Sequence, residues 1–150
     1  MNISKFPLKA RAKCAYCNST VYGYVQFVDE LLPGYVWFKT SDGALVMVQE
    51  DSVCAFTGNK DNDGVDIYEG DVVETTFVDL EDGLLYKERF LVAFNEMHGA
   101  FCFFYTSGEF SGVGLYWLLY DNEFHVSVIG NVYDNEELAE IFDKPLKVDL

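Results

Sequence analysis

Apolar and polar residues alternate with a period of two along most of the chain, which is the pattern of β-strands that bury one face. In residues 8–14, apolar side chains alternate with Lys9, Arg11 and Lys13, so this segment predicts a strand with a cationic outer face. Residues 20–28 are rich in β-branched and aromatic side chains, which favour a second strand.

Short polar segments between apolar runs predict three antiparallel hairpins further along the chain. Their turns are expected at residues 40–43, 95–99 and 121–123. The third hairpin would join strands at residues 115–120 and 124–129. Two other stretches predict loops, a polar loop over residues 58–64 and a glycine-rich loop over residues 106–114.

Helical spacing is confined to the C-terminal part of the chain. Leu138, Ile141 and Phe142 are spaced i, i+3, i+4, and Asp134 with Glu137 resembles a capping box. Many short strands followed by one short helix predict a mainly β fold. The expected architecture is a small antiparallel barrel or sandwich, with SH3-like barrel elements as one form of it, and a short C-terminal helix.

The length and composition predict one domain. One hundred and fifty residues is a common domain size, and half of the residues are hydrophobic, which is enough for a core. We therefore expect a single β-rich domain over residues 1–150. Within it, the N-terminal strands of residues 1–57 are a candidate sub-barrel packed on residues 58–150.

The charge is strongly negative and unevenly distributed. The net charge of −15 combines +4 in residues 1–13 with −19 in residues 14–150. Because phosphate contacts need clustered Lys and Arg, direct nucleic-acid binding is not expected, and neither is binding to an anionic membrane. A basic protein partner, a cation or simple solubility fits this charge better.

Targeting signals are not recognisable in the sequence. No stretch approaches the roughly 20 apolar residues of a membrane span, and the N-terminal residues lack the apolar core of a secretory signal. The expected compartment is the cytoplasm. The four cysteines are then expected to be reduced thiols rather than a disulfide framework; they are Cys14, Cys17, Cys54 and Cys102.

Two blocks of residues carry a resemblance to a known family. The first block comprises Phe56, Thr57, Gly58, Lys60, Asp61, Gly64, Ile67, Tyr68, Glu69, Gly70, Asp71 and Val73. The second comprises Gly130, Asn131 and Tyr133. A weaker match is Val21-Tyr22-Gly23, with Lys5-Phe6 before it. Together they resemble the YopX family, whose members are small proteins carried mainly by bacteriophages, prophages and mobile elements.

The resemblance implies a β-rich fold of barrel-like character, compatible with an oligomer, in the cytoplasm of a bacterial host. It implies no catalytic residues, because the family has no settled activity. The first block also has a structural interpretation. Gly58 and Gly64 can supply positive φ, and residues 61–63 can make Asx bonds to backbone amides. Ile67 can enter the core, while the chain turns a corner at residues 70–71.

Two segments resemble metal or redox motifs. Residues 59–64 place oxygen-bearing side chains at alternate positions, like the start of an EF-hand loop, but Gly70 stands where a bidentate glutamate is needed. Cys14 and Cys17 form a CxxC pair without a second close pair. A polar turn and two ordinary thiols are the preferred interpretations, so no cofactor or metal is expected.

Candidate catalytic groups are isolated from one another in the sequence. Ser111 lacks the GxSxG pattern, His98 lies in a predicted turn, and His125 lies in a predicted strand. We therefore expect a protein that is not an enzyme.

The remaining candidates are acidic and aromatic. Carboxylates at i, i+2 occur at 61/63, 69/71, 79/81 and 121/123, and on a strand each pair would share one face roughly 6.6 Å apart. Such rows could imitate a phosphate backbone or simply be solvated. The 25 aromatic residues exceed the need of one core, and Tyr and Trp concentrate at interfaces. The candidate interaction surface comprises Asp61, Asp63, Glu69, Asp79, Glu81, Trp117 and Tyr120.

These observations lead to one expectation with two alternatives. The expected function is a phage or prophage protein that binds a host factor, for which a basic protein is one candidate, through its acidic surface. The first alternative is a self-assembling structural subunit. The second is an acidic DNA mimic that inhibits a host nuclease or defence protein.

Overall fold

The computed structural model describes residues 9–17, 19–120 and 123–142, apart from the side chains of residues 116–118. The strands are β1 (Ala10–Lys13), β2 (Thr20–Val28), β3 (Tyr35–Thr40), β4 (Leu45–Gln49), β5 (Cys54–Lys60), β6 (Asp66–Tyr68), β7 (Asp71–Val78), β8 (Leu85–Asn95), β9 (Ala100–Phe104), β10 (Phe110–Gly114) and β11 (Phe124–Asn131). The helices are α1 (Leu115–Tyr120), α2 (Glu136–Ile141) and a 3-10 turn at Glu50–Ser52.

The chain divides into two compact units, residues 1–56 and residues 57–150. In the first unit the strand order is β4-β3-β2-β1-β5, with antiparallel neighbours throughout. A bridge between Cys14 and Val48 joins the end of β1 to β4, so this sheet curls back on itself. The small core on its inner face comprises Ala10, Ala12, Val36, Phe38 and Val48.

One glycine of the first unit is required by close backbone approach. Gly23 pairs with Thr40, and a methyl group added at Gly23 would collide with the carbonyl oxygen of Lys39. This contact gives a steric reason for the glycine of Val21-Tyr22-Gly23.

The second unit contains the sheet β10-β9-β8-β7-β11, again antiparallel. The strands of this sheet bury apolar side chains on both faces. The larger cluster comprises Ile67, Val73, Phe90, Val92, Phe103, Leu115 and Val126. The smaller cluster comprises Val72, Leu91, Leu138 and Phe142. Helix α1 therefore contributes to one cluster and helix α2 to the other. The short strand β6 follows β5 in the order of the first sheet, because β5 crosses the boundary between the units.

The mainly β fold and the short C-terminal helix are confirmed. The turns predicted at residues 40–43 and 95–99 separate β3 from β4 and β8 from β9. In the described residues, the Cys14–Val48 contact is a single bridge and not a strand pairing, so neither sheet is closed into a barrel.

The predicted third hairpin is wrong. Residues 115–120 form helix α1 rather than a strand, and residues 121–122 lie outside the described residues. The sequence Leu-Tyr-Trp-Leu-Leu-Tyr is a continuous apolar run, and periodicity cannot separate a buried strand from a short buried helix in such a run. Leu115 lies in the larger apolar cluster and Leu119 packs against it, so packing determines the helix.

Three boundaries also differ from the predictions. The predicted loop at 106–114 ends early, because residues 110–114 pair irregularly with β9. Strand β5 continues to Lys60, so the polar loop begins only at Asp61. Helix α2 begins at Glu136, its N-cap is Asn135, and no side-chain cap bond is present there, so the capping box is wrong.

Candidate functional site

The loop after β5 is organised by the carboxylate of Asp61. Its Oδ1 accepts the backbone N–H groups of Asp63 (2.9 Å) and Val65 (2.8 Å). Its Oδ2 accepts the N–H of Val128 in β11 (2.9 Å). The residue is only 6% exposed. This carboxylate therefore closes the loop and attaches it to a strand 67 residues away.

Asn62 completes the attachment by imitating a strand partner. Its backbone N–H donates to the carbonyl of Val126 (3.0 Å), and its Oδ1 accepts the N–H of Val126 (2.6 Å). The other edge of β11 pairs with β7. Residues 61–62 thus cover backbone groups that an edge strand would otherwise leave open to another chain.

Asp63 lies at the exposed side of the same loop. The hydroxyl of Ser127 donates to its Oδ2, and Nε2 of His125 lies 3.2 Å from its Oδ1. The Ser127 hydrogen bond, and after it the nearby His125, lower the pKa of the Asp63 carboxyl. Both His125 and Ser127 are directed at the carboxylate, which is not the arrangement of a nucleophile and its base.

The EF-hand-like stretch is occupied by protein donors. Both oxygens of Asp61 accept N–H groups, and Lys60 is paired with Asp66 at 2.7 Å. Among the residues that the structure describes, no group of three His, Cys, Asp or Glu side chains could hold a metal ion. The loop therefore joins the end of β5 to β11 through hydrogen bonds.

The remaining residues of the first block lie around a tight corner. Gly58, Gly64 and Gly70 have φ near +87°, +85° and +89°. Asp71 Oδ2 accepts the N–H of Tyr68 (2.8 Å) across this corner. The Gly70 N–H donates to the carbonyl of Val92 (2.8 Å), and its own carbonyl accepts the N–H of Val132 (3.1 Å). Gly70 therefore links the first block to the second.

Further positions of the block are apolar or partly buried. Ile67 and Val73 lie in the larger apolar cluster, and Thr57 Oγ1 donates to the carbonyl of Ile67 (2.7 Å). Phe56 lies under the ammonium group of Lys9, 4.8 Å from the ring centroid. Burial raises the pKa of the Glu69 carboxyl.

The second block holds the start of α2. A methyl group at Gly130 would collide with the side chains of Asn135 and Leu138. Asn131 Oδ1 accepts the N–H groups of Tyr133 (2.9 Å) and Asp134 (2.8 Å), while its own N–H donates to Asn135 Oδ1 (3.0 Å).

The residues of the predicted interaction surface differ in burial. Asp61 is buried, Glu69 and Asp79 are half-buried, and Asp63, Glu81 and Tyr120 are exposed. The side chain of Trp117 lies outside the described residues.

The carboxylate pairs 61/63 and 79/81 lie in loops and turns, and in the pair 69/71 only Asp71, the first residue of β7, belongs to a strand, so the expectation that these pairs line extended strands is wrong. At 79/81, for example, Asp79 Oδ1 accepts the N–H of Glu81 (2.8 Å). Residue 121 of the fourth pair is outside the described residues.

Negative charge is nevertheless segregated. Residues 1–56 hold five Lys or Arg and five Asp or Glu, whereas residues 57–150 hold five Lys or Arg and 20 Asp or Glu. The formal charges are therefore 0 and −15. In the described part of the second unit, the cations are already paired: Lys60 lies by Asp66, and Lys87 and Arg89 lie 3.9 and 3.3 Å from Glu74.

The first unit carries an exposed aromatic row that sequence reasoning largely missed. Strand pairing places Phe27, Trp37 and Met47 side by side on one face, and Phe27 stacks on Trp37 with centroids 6.0 Å apart. The Tyr16 hydroxyl lies 4.0 Å from the sulfur of Met47. Phe27 is 47% exposed and Tyr16 is 77% exposed. We call these four residues the aromatic row. The composition of residues 20–28 predicted the strand that holds Phe27, but not the exposure of its side chain.

Comparison with known proteins identifies a family and a fold. The model of a family described as YopX protein matches residues 12–140. A search of curated proteins finds no significant match. Among solved structures, the chain is similar to protein EF1440 from Enterococcus faecalis, with a TM-score of 0.52 and 22% identity over 87% of this chain and 96% of that chain. At this identity the likeness concerns the fold alone. In the described residues, no helix is both long and apolar enough to span a membrane.

Proposed function

Given that the chain belongs to the YopX family, we propose that it is a non-enzymatic protein-binding module. Its acidic unit, residues 57–150, binds a basic surface of a host protein in the bacterial cytoplasm. The family's association with phages and mobile elements motivates the choice of a host factor as partner.

The segregation of charge is the observation that carries this proposal. A surplus of 15 carboxylates in one unit creates a field that attracts a cationic surface and accelerates encounter. The paired state of Lys60, Lys87 and Arg89 supports it, since these cations already have carboxylate neighbours within the protein. The structural roles of Asp61 and Asn62 support a module whose family residues serve the fold.

The arrangement of the acids favours a general basic partner over DNA mimicry. Mimicry of a duplex calls for carboxylates in regular rows, and the pairs at 61/63 and 79/81 lie in loops and turns. The mimic remains an alternative that the same experiment addresses through the identity of the captured protein.

The test is affinity capture from host lysate with two matched variants. The first changes three exposed acids of the second unit, Glu81→Gln, Glu96→Gln and Glu109→Gln. The second makes the same charge change in the first unit at Glu30, Glu50 and Asp51. We expect a basic protein to be captured at low salt, to be lost at high salt, and to be weakened by the first variant only. Capture that is insensitive to salt and to both variants would contradict the proposal.

Self-association is the second candidate, and the aromatic row favours it. A symmetric dimer brings the same patch of two copies together, which a strongly charged patch opposes. The first unit has no net charge and exposes Phe27 and Tyr16. The expected occupant of the row is therefore a second copy of the chain. Light scattering at micromolar concentration tests this, with Phe27→Ser as the variant expected to be monomeric; a wild-type monomer would exclude it.

A further inference from the structure

The CxxC pair, Cys14 and Cys17, lies at a tight turn of the chain. Cys14 follows β1, and the chain turns over residues 15–17. A tight turn brings α-carbons three residues apart to within about 7 Å, and a disulfide spans roughly 4.4–6.8 Å. Cys17 is exposed whereas Cys14 is buried, so reagents in solution reach Cys17 first.

The surroundings of Cys17 stabilise its thiolate. Its sulfur lies 2.9 Å from the hydroxyl oxygen of Ser19. Hydrogen bonds from Ser19, and a weaker one from the thiol of Cys14, lower the pKa of Cys17 from 9.0 to about 7. The thiolate is the nucleophile in exchange reactions, so Cys17 is populated in its reactive form at neutral pH.

We propose that Cys17 is a thiol-modification site that reacts with low-molecular-weight disulfides, and that Cys14 resolves the adduct to an intrachain disulfide. In the first step the Cys17 thiolate attacks one sulfur of RSSR; the S–S bond breaks, and RS⁻ leaves and takes a proton from water. In the second step Cys14 loses its proton to solvent and attacks the Cys17 sulfur, and the second RS⁻ leaves. The dithiol is oxidised by two electrons, and RSSR is reduced to two RSH.

The other cysteines provide an internal control. Cys54 and Cys102 are buried, and burial raises the pKa of the Cys102 thiol. Both should react much more slowly than Cys17.

The position of the pair gives the modification a structural context. Tyr16 lies between the two cysteines and contacts Met47 of the aromatic row. The Cys14 N–H donates to the carbonyl of Ser19 (2.9 Å) and closes this turn, and the Ala15 N–H donates to the carbonyl of Met47 (2.9 Å) and holds the turn against β4. An adduct or disulfide at this turn therefore forms at the end of the aromatic row.

The test is reaction of the reduced chain with glutathione disulfide at pH 7, followed by intact mass and peptide mapping. The wild type should lose two hydrogens and yield a peptide crosslinked between Cys14 and Cys17. Cys14→Ala should keep one glutathione on Cys17, Cys17→Ser should not react at this turn, and Cys102→Ser should behave as wild type.

The reaction rate and its pH dependence distinguish a thiol of lowered pKa from an ordinary thiol. With a pKa near 7, about half of Cys17 is thiolate at pH 7. A thiolate of lower pKa is a weaker nucleophile, and after allowing for this, Cys17 should react about fivefold faster in the folded protein than in the urea-denatured chain. The rate should be half-maximal near pH 7, and Ser19→Ala should move that midpoint upwards.

Two kinds of result would overturn the inference. One is first reaction at Cys54 or Cys102, or a rate at Cys17 no greater than in the denatured chain. The other is a mixed disulfide on Cys17 that persists in the wild type, which would remove the resolving role of Cys14. The wild-type peptide map decides this second point even if Cys14→Ala fails to fold.

Discussion

At the scale of single residues, the family signature acts by satisfying backbone groups. Asp61 accepts three N–H bonds, and two of them lie within its own loop while the third comes from Val128. Asn62 exchanges two bonds with Val126. Buried backbone donors are costly when unpaired. Two side chains thus serve both the loop and the outer edge of β11.

Replacing Asp61 should therefore destabilise the second unit strongly. Asp61→Ala leaves three N–H groups without their acceptor, and the expected loss in the free energy of unfolding is about 3 kcal/mol. Urea unfolding monitored by tryptophan fluorescence and circular dichroism measures it. Asp63→Ala is the matched control and should cost much less, because Asp63 is half exposed. Equal losses at both positions would refute the fastening role of Asp61.

Glu69 should make stability depend on pH in a specific direction. Burial raises the pKa of its carboxyl above the ordinary value of 4.5, so the folded state holds the proton more tightly than the unfolded chain. This contribution to stability is complete below pH 4.5 and is lost as pH rises through the folded pKa. Glu69→Gln should therefore melt at a higher temperature than the wild type at pH 7, with the difference vanishing near pH 4. A lower melting temperature for Glu69→Gln at pH 7 would contradict this.

The sequence predicts what individual residues can do, and it does not identify their distant partners. Gly58 and Gly64 are recognisable as positive-φ positions, and residues 61–63 as Asx-type turn formers. That Asp61 binds Val128 depends on a contact 67 residues away, which no local pattern encodes.

At the scale of elements, the start of α2 is fitted to a bend in β11. The pairing of β11 with β7 shifts register between Val128 and Gly130. Gly130 has φ of 157° and lies against Asn135 and Leu138, which begin the helix. The helix therefore docks on the strand through a position that has no room for a side chain.

Gly130→Ala should loosen this junction. The added methyl group must displace Asn135 or Leu138, and overpacking of this kind costs about 2 kcal/mol. Gly108→Ala is the control: Gly108 has φ of 86° with open space around it, so backbone strain alone should cost about 1 kcal/mol. Thermal unfolding compares the two. A Gly130→Ala protein as stable as the Gly108→Ala protein would show that the contact with α2 is not tight.

Strands are predicted correctly where the alternation of apolar residues and the turn residues agree. The type of an element is predicted wrongly where its packing against the core determines it. Strand β2 is predicted with its observed bounds, because alternation and β-branched residues coincide over residues 20–28. Residues 115–120 have no period, so only their contact with the larger apolar cluster distinguishes α1 from a strand.

At the scale of the whole molecule, one neutral unit and one strongly acidic unit lie in a single chain. The sequence gives the total charge directly, but the division at residues 56 and 57 requires the folded contacts. The exposed aromatic row lies in the neutral unit, and the excess of acidic residues lies in the other.

This division predicts opposite salt dependences for the two proposed activities. The Debye length, the distance over which salt screens charges, shortens from about 10 Å at 0.1 M salt to about 3 Å at 1 M. Binding of a basic partner by residues 57–150 should therefore weaken as salt is added. Self-association through the aromatic row should strengthen, because added salt reduces repulsion between chains that each carry a charge of −15.

Sedimentation velocity measures the self-association directly. The salt concentration should run from about 0.05 to about 1 M, the range over which screening changes most. Phe27→Ser should abolish it at every salt concentration, while the Glu81, Glu96 and Glu109 variant should raise dimer formation at low salt by reducing repulsion. A dimer that dissociates as salt increases would place the contact on charged residues instead. That result would exclude the aromatic row as the dimer contact and leave the row without an assigned partner.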